Sequence, residues 1–196
     1  MRLFGPQHIK MSDEELMRCI TQGDKRAFDE LYKRYANPLL IYFIRMLWKD
    51  REKAEDFVHD LFAKIINKPE LFDASRAFKT WVYSVANNMC KNEYKKQEVR
   101  KNTSTGLNNT YAVADQNSNV LNEVQDSIFQ EAFQRCLVDL DDKHKEVFSM
   151  RHEDGLSIKE IAEILEISDG TVKSRLFYAT KYLSESLKEF NPTANR

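Results

Sequence analysis

Apolar residues recur at the spacing of an α-helix along most of the chain, and this period constrains the fold more than any other feature. Phe28, Leu31, Tyr32 and Tyr35 follow the i, i+3, i+4, i+7 pattern, and similar stripes continue to residue 101. The chain has only 5 Gly and 4 Pro, too few for the many turns of a β-sandwich or barrel. The sequence therefore predicts an all-α fold.

Local signals divide the first half of the chain into successive helices. Ser12 and Glu15 have the spacing of a capping box and predict a short N-terminal helix. Pro38 suits the first turn of a helix, so it predicts a break at which a new helix begins. Further helices are predicted from near Asp50 and over residues 76–101.

The composition changes after residue 101. Residues 102–125 are rich in Asn and lack a sustained apolar period, which is typical of a linker. The helical period returns over residues 126–190, and residues 191–196 form a tail. We therefore predict two small helical domains, residues 1–101 and 126–190, joined by a flexible polar linker. A connection of this length indicates a functional or mobile segment.

The second domain contains a helix-turn-helix pattern. Ser157 and Glu160 form a second capping box, and a short break around Gly170 leads into the last helix. In this motif the N-terminal half of the second helix enters the major groove of DNA. Phe177 and Tyr178 lie opposite the apolar stripe of that helix, which is unusual for a soluble surface. They predict a DNA contact or, alternatively, packing on the other domain or on a protein partner.

The net charge of −1 is the sum of segments with opposite charge. Residues 76–101 carry seven cations and two anions, a net of +5, and residues 171–188 carry four cations and one anion, a net of +3. Residues 102–142 carry one cation and seven anions, a net of −6. Two basic helices, each closing a domain, suit phosphate binding. The near-zero sum predicts that the isolated chain attracts DNA only weakly over long range.

The helix predicted over residues 76–101 has a polar face on the side away from its apolar set. Amides, hydroxyls and ammonium groups hydrogen-bond base edges or neutralise phosphates, and Trp81 at the border suits stacking on an unpaired base. A solvated polar face beside a core Trp is the alternative interpretation. The residues of this face are Thr80, Ser84, Asn87, Asn88, Lys91 and Lys95.

Several other classes of site and protein are not indicated. The three Cys residues form no Cys-x-x-Cys, and the His residues lack ligand spacing, so we expect free thiols and no metal or cofactor. The N-terminus has no apolar segment of a signal peptide. The longest apolar run, residues 39–44, is far shorter than the roughly 20 residues of a membrane span. We therefore expect a cytoplasmic protein without membrane insertion.

Together these stretches resemble bacterial sigma factors of the extracytoplasmic-function group of the sigma-70 family. Residues 54–62 resemble the family's region that binds core RNA polymerase, and residues 78–88 resemble its melting and −10 recognition region. Residues 156–165, followed by residues 170–176, closely match its −35-binding module. The resemblance covers roughly residues 12–188 outside the linker, and the order and spacing of the motifs make it specific.

The resemblance implies a protein that is not an enzyme by itself. It implies a factor that binds core RNA polymerase, directs it to promoters and promotes strand opening. An anti-sigma factor is the third expected partner, one able to mask the same faces. The acidic linker resembles the family's segment that threads through polymerase, where it either mimics nucleic acid or only remains soluble, and both interpretations stay open.

The resemblance also assigns residues to each contact. The loop over residues 68–78 matches in position the segment that captures a flipped non-template base. The family usually has Gln at the position of His59 and often has Arg at that of Asn87, whereas Asn88 matches. The expected core-binding residues are Asp56, His59, Asp60 and Ala63. The expected −10 contacts are Asp73, Ser75, Thr80, Trp81, Ser84, Asn87, Asn88, Lys91 and Lys95. The expected −35 contacts are Ser157, Lys159, Thr171, Lys173, Ser174, Arg175, Phe177, Tyr178 and Lys181.

Two other classes of protein fit the sequence less well. A receiver-type transcriptional regulator with the same C-terminal module requires alternating βα units, whereas the first half here has a helical period throughout. A nucleic-acid enzyme requires a P-loop, a zinc-deaminase pattern or a metal-binding carboxylate cluster, and the sequence has none of these motifs. Asp139, Asp141 and Asp142 more simply flank the start of a helix.

Overall fold

A computed structural model of the chain describes residues 8–47, 49–103 and 122–190. These residues contain no β-strand, so the predicted all-α class is confirmed. The α-helices are α1 (Asp13–Thr21), α2 (Lys25–Met46), α3 (Arg51–Asn67), α4 (Phe78–Thr103), α5 (Asn122–Asp139), α6 (Asp142–His152), α7 (Ile158–Leu165) and α8 (Asp169–Ser186). Short 3-10 turns span His8–Lys10, Pro69–Leu71 and Lys188–Phe190.

The helices belong to two compact units. The first contains α1 to α4, and the second contains α5, α6, α8 and the start of α7. Most of the predicted linker and the whole predicted tail lie outside the described residues. At its two ends, α4 continues to Thr103 and α5 begins at Asn122, so each helix extends a few residues into the predicted linker.

Both predicted capping boxes are present. The Ser12 hydroxyl accepts the Glu15 amide at 3.2 Å, and the Glu15 carboxylate accepts the Ser12 amide at 2.8 Å. Ser157 and Glu160 repeat this exchange at the start of α7, at 3.2 and 2.7 Å. Each box satisfies two amides that have no partner inside the helix.

The predicted helix break at Pro38 is wrong, because α2 continues through this residue. Proline lacks the N–H that would bond to the Arg34 carbonyl, and in a helix interior it costs about 3 kcal/mol. The helix persists because both of its halves bury apolar side chains, each contributing about 1.5–3 kcal/mol when fully buried. The buried side chains of α2 are Ala27, Leu31, Tyr35, Leu39, Tyr42 and Phe43.

The first unit is built around α2, which contacts α1, α3 and α4. Phe43 of α2 meets Phe57 of α3 edge to face, with ring centroids 5.4 Å apart. Tyr42 meets Tyr83 of α4 in the same way, also at 5.4 Å. These contacts hold α4 along a defined line and determine which of its faces is covered.

The second unit holds α8 against α6 and α5. Val147 and Met150 of α6 are buried, as are Val172, Ala179 and Leu183 of α8. These side chains cover one face of α8 and leave its opposite face available to solvent. The connection after α6 is held by a hydrogen bond from the Arg151 guanidinium to the Leu156 carbonyl, at 2.9 Å.

Candidate nucleic-acid interface

The start of α8 is fixed by Ser168. Its side chain accepts the Thr171 amide at 3.1 Å, and the two hydroxyl oxygens lie 2.9 Å apart. A hydroxyl at the N-cap is strongly preferred because it satisfies an amide that otherwise has no partner. The cap and the buried apolar face together fix both the position and the rotation of α8.

The exposed face of α8 carries cations, a hydroxyl and two aromatic rings. Phe177 is 63% exposed and Tyr178 is 56% exposed, with ring centroids 5.5 Å apart. Tyr178 also packs edge to face against His144 of α6, at 6.1 Å. The structure thus brings together at solvent Lys173, Ser174, Phe177, Tyr178 and Lys181.

The other residues predicted for the −35 contact have different surroundings. The Ser157 hydroxyl is engaged in the α7 cap, although the residue is exposed. Lys159 is exposed, whereas Thr171 and Arg175 are half-buried. Ammonium and guanidinium groups at this surface are able to neutralise phosphates without reading sequence.

The start of α4 rests on an aromatic cluster. Trp81 lies 5.3 Å from Phe72 and 5.7 Å from Phe78 between ring centroids, and Tyr35 of α2 meets Phe78 at 5.1 Å. Phe72 and Phe78 are buried, but Trp81 is only half-buried. One part of the indole is therefore fixed by packing while another part remains accessible, as stacking on a base requires.

The predicted polar face of α4 is only partly accessible. Asn88 and Lys95 are exposed, and Ser84 and Lys91 are half-buried. The Ser84 hydroxyl donates to the Thr80 carbonyl at 2.9 Å. The remaining two side chains, Thr80 and Asn87, are only 4% and 1% exposed. The assignment of these two residues to the −10 contact stays a prediction.

The loop before α4 is exposed over residues 73–77. The Asp73 carboxylate accepts the Ser75 amide at 2.9 Å, and the Asp73 carbonyl accepts the Arg76 amide at 3.0 Å. These bonds form a compact turn. The hydrogen bond from the Ser75 amide lowers the pKa of Asp73, so its carboxylate is charged at neutral pH.

Sequence reasoning missed the residue that caps α4. Ala77 precedes the helix and has no side-chain acceptor, so the Glu14 carboxylate of α1 accepts the Phe78 amide instead, at 2.9 Å. This bond is the largest cause of a lowered pKa at Glu14. The two residues are 64 positions apart, and the only signal in the sequence is the missing cap at Ala77.

All four residues predicted for polymerase binding lie on the exposed surface of α3. The helix is capped by Asp50, whose carboxylate accepts the Lys53 amide at 3.0 Å. Its buried face contains Ala54, Val58, Leu61, Phe62 and Ile65. The exposed residues are Asp56, His59, Asp60 and Ala63.

Two family models match the two units in the order expected. The model described as "Sigma-70 region 2" matches residues 31–100, and that described as "Sigma-70, region 4" matches residues 130–183. The ECF RNA polymerase sigma-E factor of Haemophilus influenzae is 28% identical, covering 91% of this chain and 97% of that protein. The chain belongs to the extracytoplasmic-function group of the sigma-70 family.

Two further likenesses agree with this assignment. The sigma factor is 26% identical to the ECF RNA polymerase sigma factor SigW of Bacillus subtilis, covering 92% of this chain and 100% of that one. Its fold is similar to that of the sigma factor RpoE from Bartonella quintana, solved in complex with the anti-sigma factor NepR. The TM-score is 0.65 at 24% identity, covering 82% of this chain and 96% of that one.

Family membership makes this chain a factor for promoter-directed transcription initiation by RNA polymerase rather than a classical enzyme. The predicted family is thereby confirmed. Among the residues that the structure describes, no helix is both long and apolar enough to cross a membrane.

Proposed function

We propose that this sigma factor recognises −35 and −10 promoter elements and promotes strand opening when bound to core RNA polymerase. The observation that carries the proposal is the exposed face of α8. Two large aromatic rings, a hydroxyl and two ammonium groups lie there opposite the buried side of the helix. A face that combines hydrogen-bond donors, cations and apolar rings suits the edges and backbone of the major groove.

The −35 contact divides into backbone and base contacts. Lys181 and Arg175 suit phosphates, which position the helix without reading sequence. Lys173 and Ser174 lie in the first turns of α8, where a recognition helix contacts base edges, and Phe177 suits a thymine methyl group. Tyr178, supported by the His144 ring, borders this set, and Ser157, Lys159 and Thr171 flank it as phosphate contacts.

The −10 contact uses the exposed and half-buried residues around the start and middle of α4. Trp81 suits stacking on an unpaired base, and Asn88 is the best candidate for a base-edge hydrogen bond. Lys91 and Lys95 follow along the helix and suit the backbone, with Ser84 beside them. The loop with Asp73 and Ser75 is proposed to capture a flipped non-template base, which exposes an edge that duplex stacking hides.

The exposed face of α3 is the proposed contact with core polymerase. Two carboxylates, Asp56 and Asp60, lie with His59 and Ala63 on one side of this helix, away from its apolar face. A polar stripe of this kind suits a complementary helical surface of a partner. The likeness to a sigma factor solved with an anti-sigma factor supports an anti-sigma partner for this chain as well. The expected compartment is the cytoplasm.

Two modest DNA-binding surfaces act together once their separation is fixed. Linking two sites raises affinity strongly only when both are engaged at the right spacing, and core polymerase is proposed to fix that spacing. The net charge of −1 provides little long-range attraction to DNA. The free sigma factor is therefore expected to bind promoters weakly.

Single substitutions test the three surfaces separately in a complex with core polymerase. Lys173→Ala is expected to weaken promoter binding by about five- to a hundredfold, as loss of a base contact does. Asn88→Ala is expected to reduce initiation with a −10 sequence, and Asp60→Ala to reduce binding of core polymerase. The measurements are promoter affinity, transcript yield and core affinity.

Each variant has a control of the same residue type on the exposed surface of α2, outside the proposed contacts: Lys33→Ala, Asn37→Ala and Asp29→Ala. These controls are expected to behave as the unaltered chain does. If Lys173→Ala and Asn88→Ala leave initiation unchanged while core binding persists, the assignment of the DNA-binding faces fails. If Asp60→Ala binds core polymerase normally, the assignment of the α3 face fails.

A further inference from the structure

The helix that carries the proposed −10 contacts is capped by another helix. Ala77 occupies the N-cap position of α4, and its carbonyl accepts the Trp81 amide at 3.1 Å. Alanine is among the least favourable N-cap residues because it has no side-chain acceptor. The Glu14 carboxylate supplies that acceptor from α1, through its bond to the Phe78 amide.

The cap is a charged one. The hydrogen bond from the Phe78 amide lowers the pKa of Glu14, so the carboxylate is ionised at neutral pH. A negative charge at the N-terminus of a helix is favourable because the helix dipole is positive there. The 26 residues of α4 make this terminus the positive end of a long helix.

The position of the cap links α1 to the exposed loop. Phe72 and Phe78 are buried at the two ends of this loop, whereas residues 73–77 between them are exposed. The turn at Asp73 orders the first part of the loop. Glu14 fixes the last part, at the residue where the loop becomes α4 and beside the Trp81 ring.

We propose that Glu14 is a positioning residue for strand opening, which rests on the proposed function of the loop and α4. It acts through the Phe78 amide and does not touch DNA. By holding the start of α4 against α1, it keeps residues 73–77 and the Trp81 ring in the arrangement that receives an unpaired base. Because the loop and ring are already ordered before DNA binds, less conformational entropy is lost when the base is captured.

The test compares substitutions of two neighbouring glutamates in the first turn of α1. Glu14→Ala removes the acceptor for α4, and Glu14→Gln keeps a neutral one. Glu15→Ala is the matched control, since it removes the same charge from the same turn but breaks only the local box with Ser12. Open complexes with core polymerase on a duplex promoter are measured by the permanganate reactivity of unpaired thymines, and core affinity is measured in parallel.

We expect Glu14→Ala to reduce open complex by about three- to tenfold, the effect of losing one helix cap. Glu14→Gln is expected to fall between Glu14→Ala and the unaltered chain, and Glu15→Ala to stay near the unaltered chain. Core affinity is expected to be the same for all. Binding of a promoter already mismatched across the −10 region should show a similar defect, because the loop and Trp81 must still capture the unpaired base.

The inference is overturned if Glu14→Ala opens the duplex promoter as well as Glu15→Ala does. It is also overturned if core affinity falls in proportion to opening, which indicates a general loss of structure. Normal binding of the mismatched promoter by Glu14→Ala overturns it as well, because base capture then does not depend on Glu14. Failure of the unaltered chain to open any promoter instead contradicts the proposed function itself, and the inference with it.

Discussion

The ion pair between Lys53 of α3 and Glu93 of α4 provides the sharpest prediction about stability. The Glu93 side chain is 9% exposed and that of Lys53 is 28% exposed, and Gln97 also donates to Glu93 at 3.2 Å. Burial by itself raises the pKa of Glu93, but the hydrogen bonds from Lys53 and Gln97 outweigh it and leave the pKa lowered. Lys53→Met removes the cation and keeps most of the side-chain volume.

The size of the effect follows from this geometry. Removing one partner of a fully buried pair costs about 3–5 kcal/mol because a charge is left without compensation. Here Lys53 keeps some exposure and Gln97 remains as a donor, so we expect a loss of about 2 kcal/mol at pH 7. The matched control is Arg51→Met in the same helix. The side chains of Arg51 and Glu55 are 72% and 47% exposed, so that substitution should cost less than about 0.5 kcal/mol.

The pH dependence has a defined sign. The lowered pKa of Glu93 means that its contribution to stability is fully present above the pKa of the unfolded chain and is lost as the pH falls through the folded value. In Lys53→Met the burial remains without the cation, so the folded carboxyl group binds a proton more readily. The free-energy difference between the variant and the unaltered chain should therefore shrink as the pH falls from 7 towards 4.5.

Urea unfolding followed by tryptophan fluorescence measures this difference. The chain's two tryptophans lie at positions 48 and 81, so the signal reports the first half of the chain. At pH 7 the midpoint of Lys53→Met should fall by about 1–2 M urea. The reasoning would be refuted if the difference in free energy of unfolding between Lys53→Met and the unaltered chain were the same at pH 7 and pH 4.5. It would also be refuted if Arg51→Met lost as much stability as Lys53→Met.

Two further substitutions test local features of the first unit by the same urea measurement. Pro38→Ala restores an N–H in the middle of α2 and should raise the free energy of unfolding by about 1–2 kcal/mol. The gain is smaller than the full cost of an interior proline because half-buried ring atoms are lost. A urea midpoint below that of the unaltered chain would contradict this. Gly23→Ala should lower the free energy of unfolding by about 1 kcal/mol, because Gly23 has φ +85°, which alanine rarely adopts. No atom lies close enough to clash with the new methyl group, so the loss comes from the backbone alone. An unchanged urea midpoint would show that the turn relaxes without strain.

The features predicted well from sequence are those encoded by neighbouring residues. Ser12 and Glu15 lie three positions apart, and the box they form needs no information from elsewhere in the chain. The accessible face of α8 followed from its period, because buried positions such as Val172 and Ala179 leave Phe177 on the opposite side. The helical class followed from the same repetition along the chain.

The features predicted poorly depend on distant residues. Pro38 disfavours a helix locally, but burial on both of its sides outweighs that preference. Glu14 and Phe78 are 64 positions apart, and no spacing rule connects them.

Promoter-directed initiation is tested most directly by transcription of the organism's own fragmented genomic DNA with purified core polymerase, with and without this sigma factor. The 5′ ends of the transcripts are mapped by sequencing. We expect a set of discrete start sites that depend on the sigma factor and share two upstream elements, together with a stable complex of the chain with core polymerase. No complex with core polymerase, and start sites that are the same with and without the chain, would contradict the account.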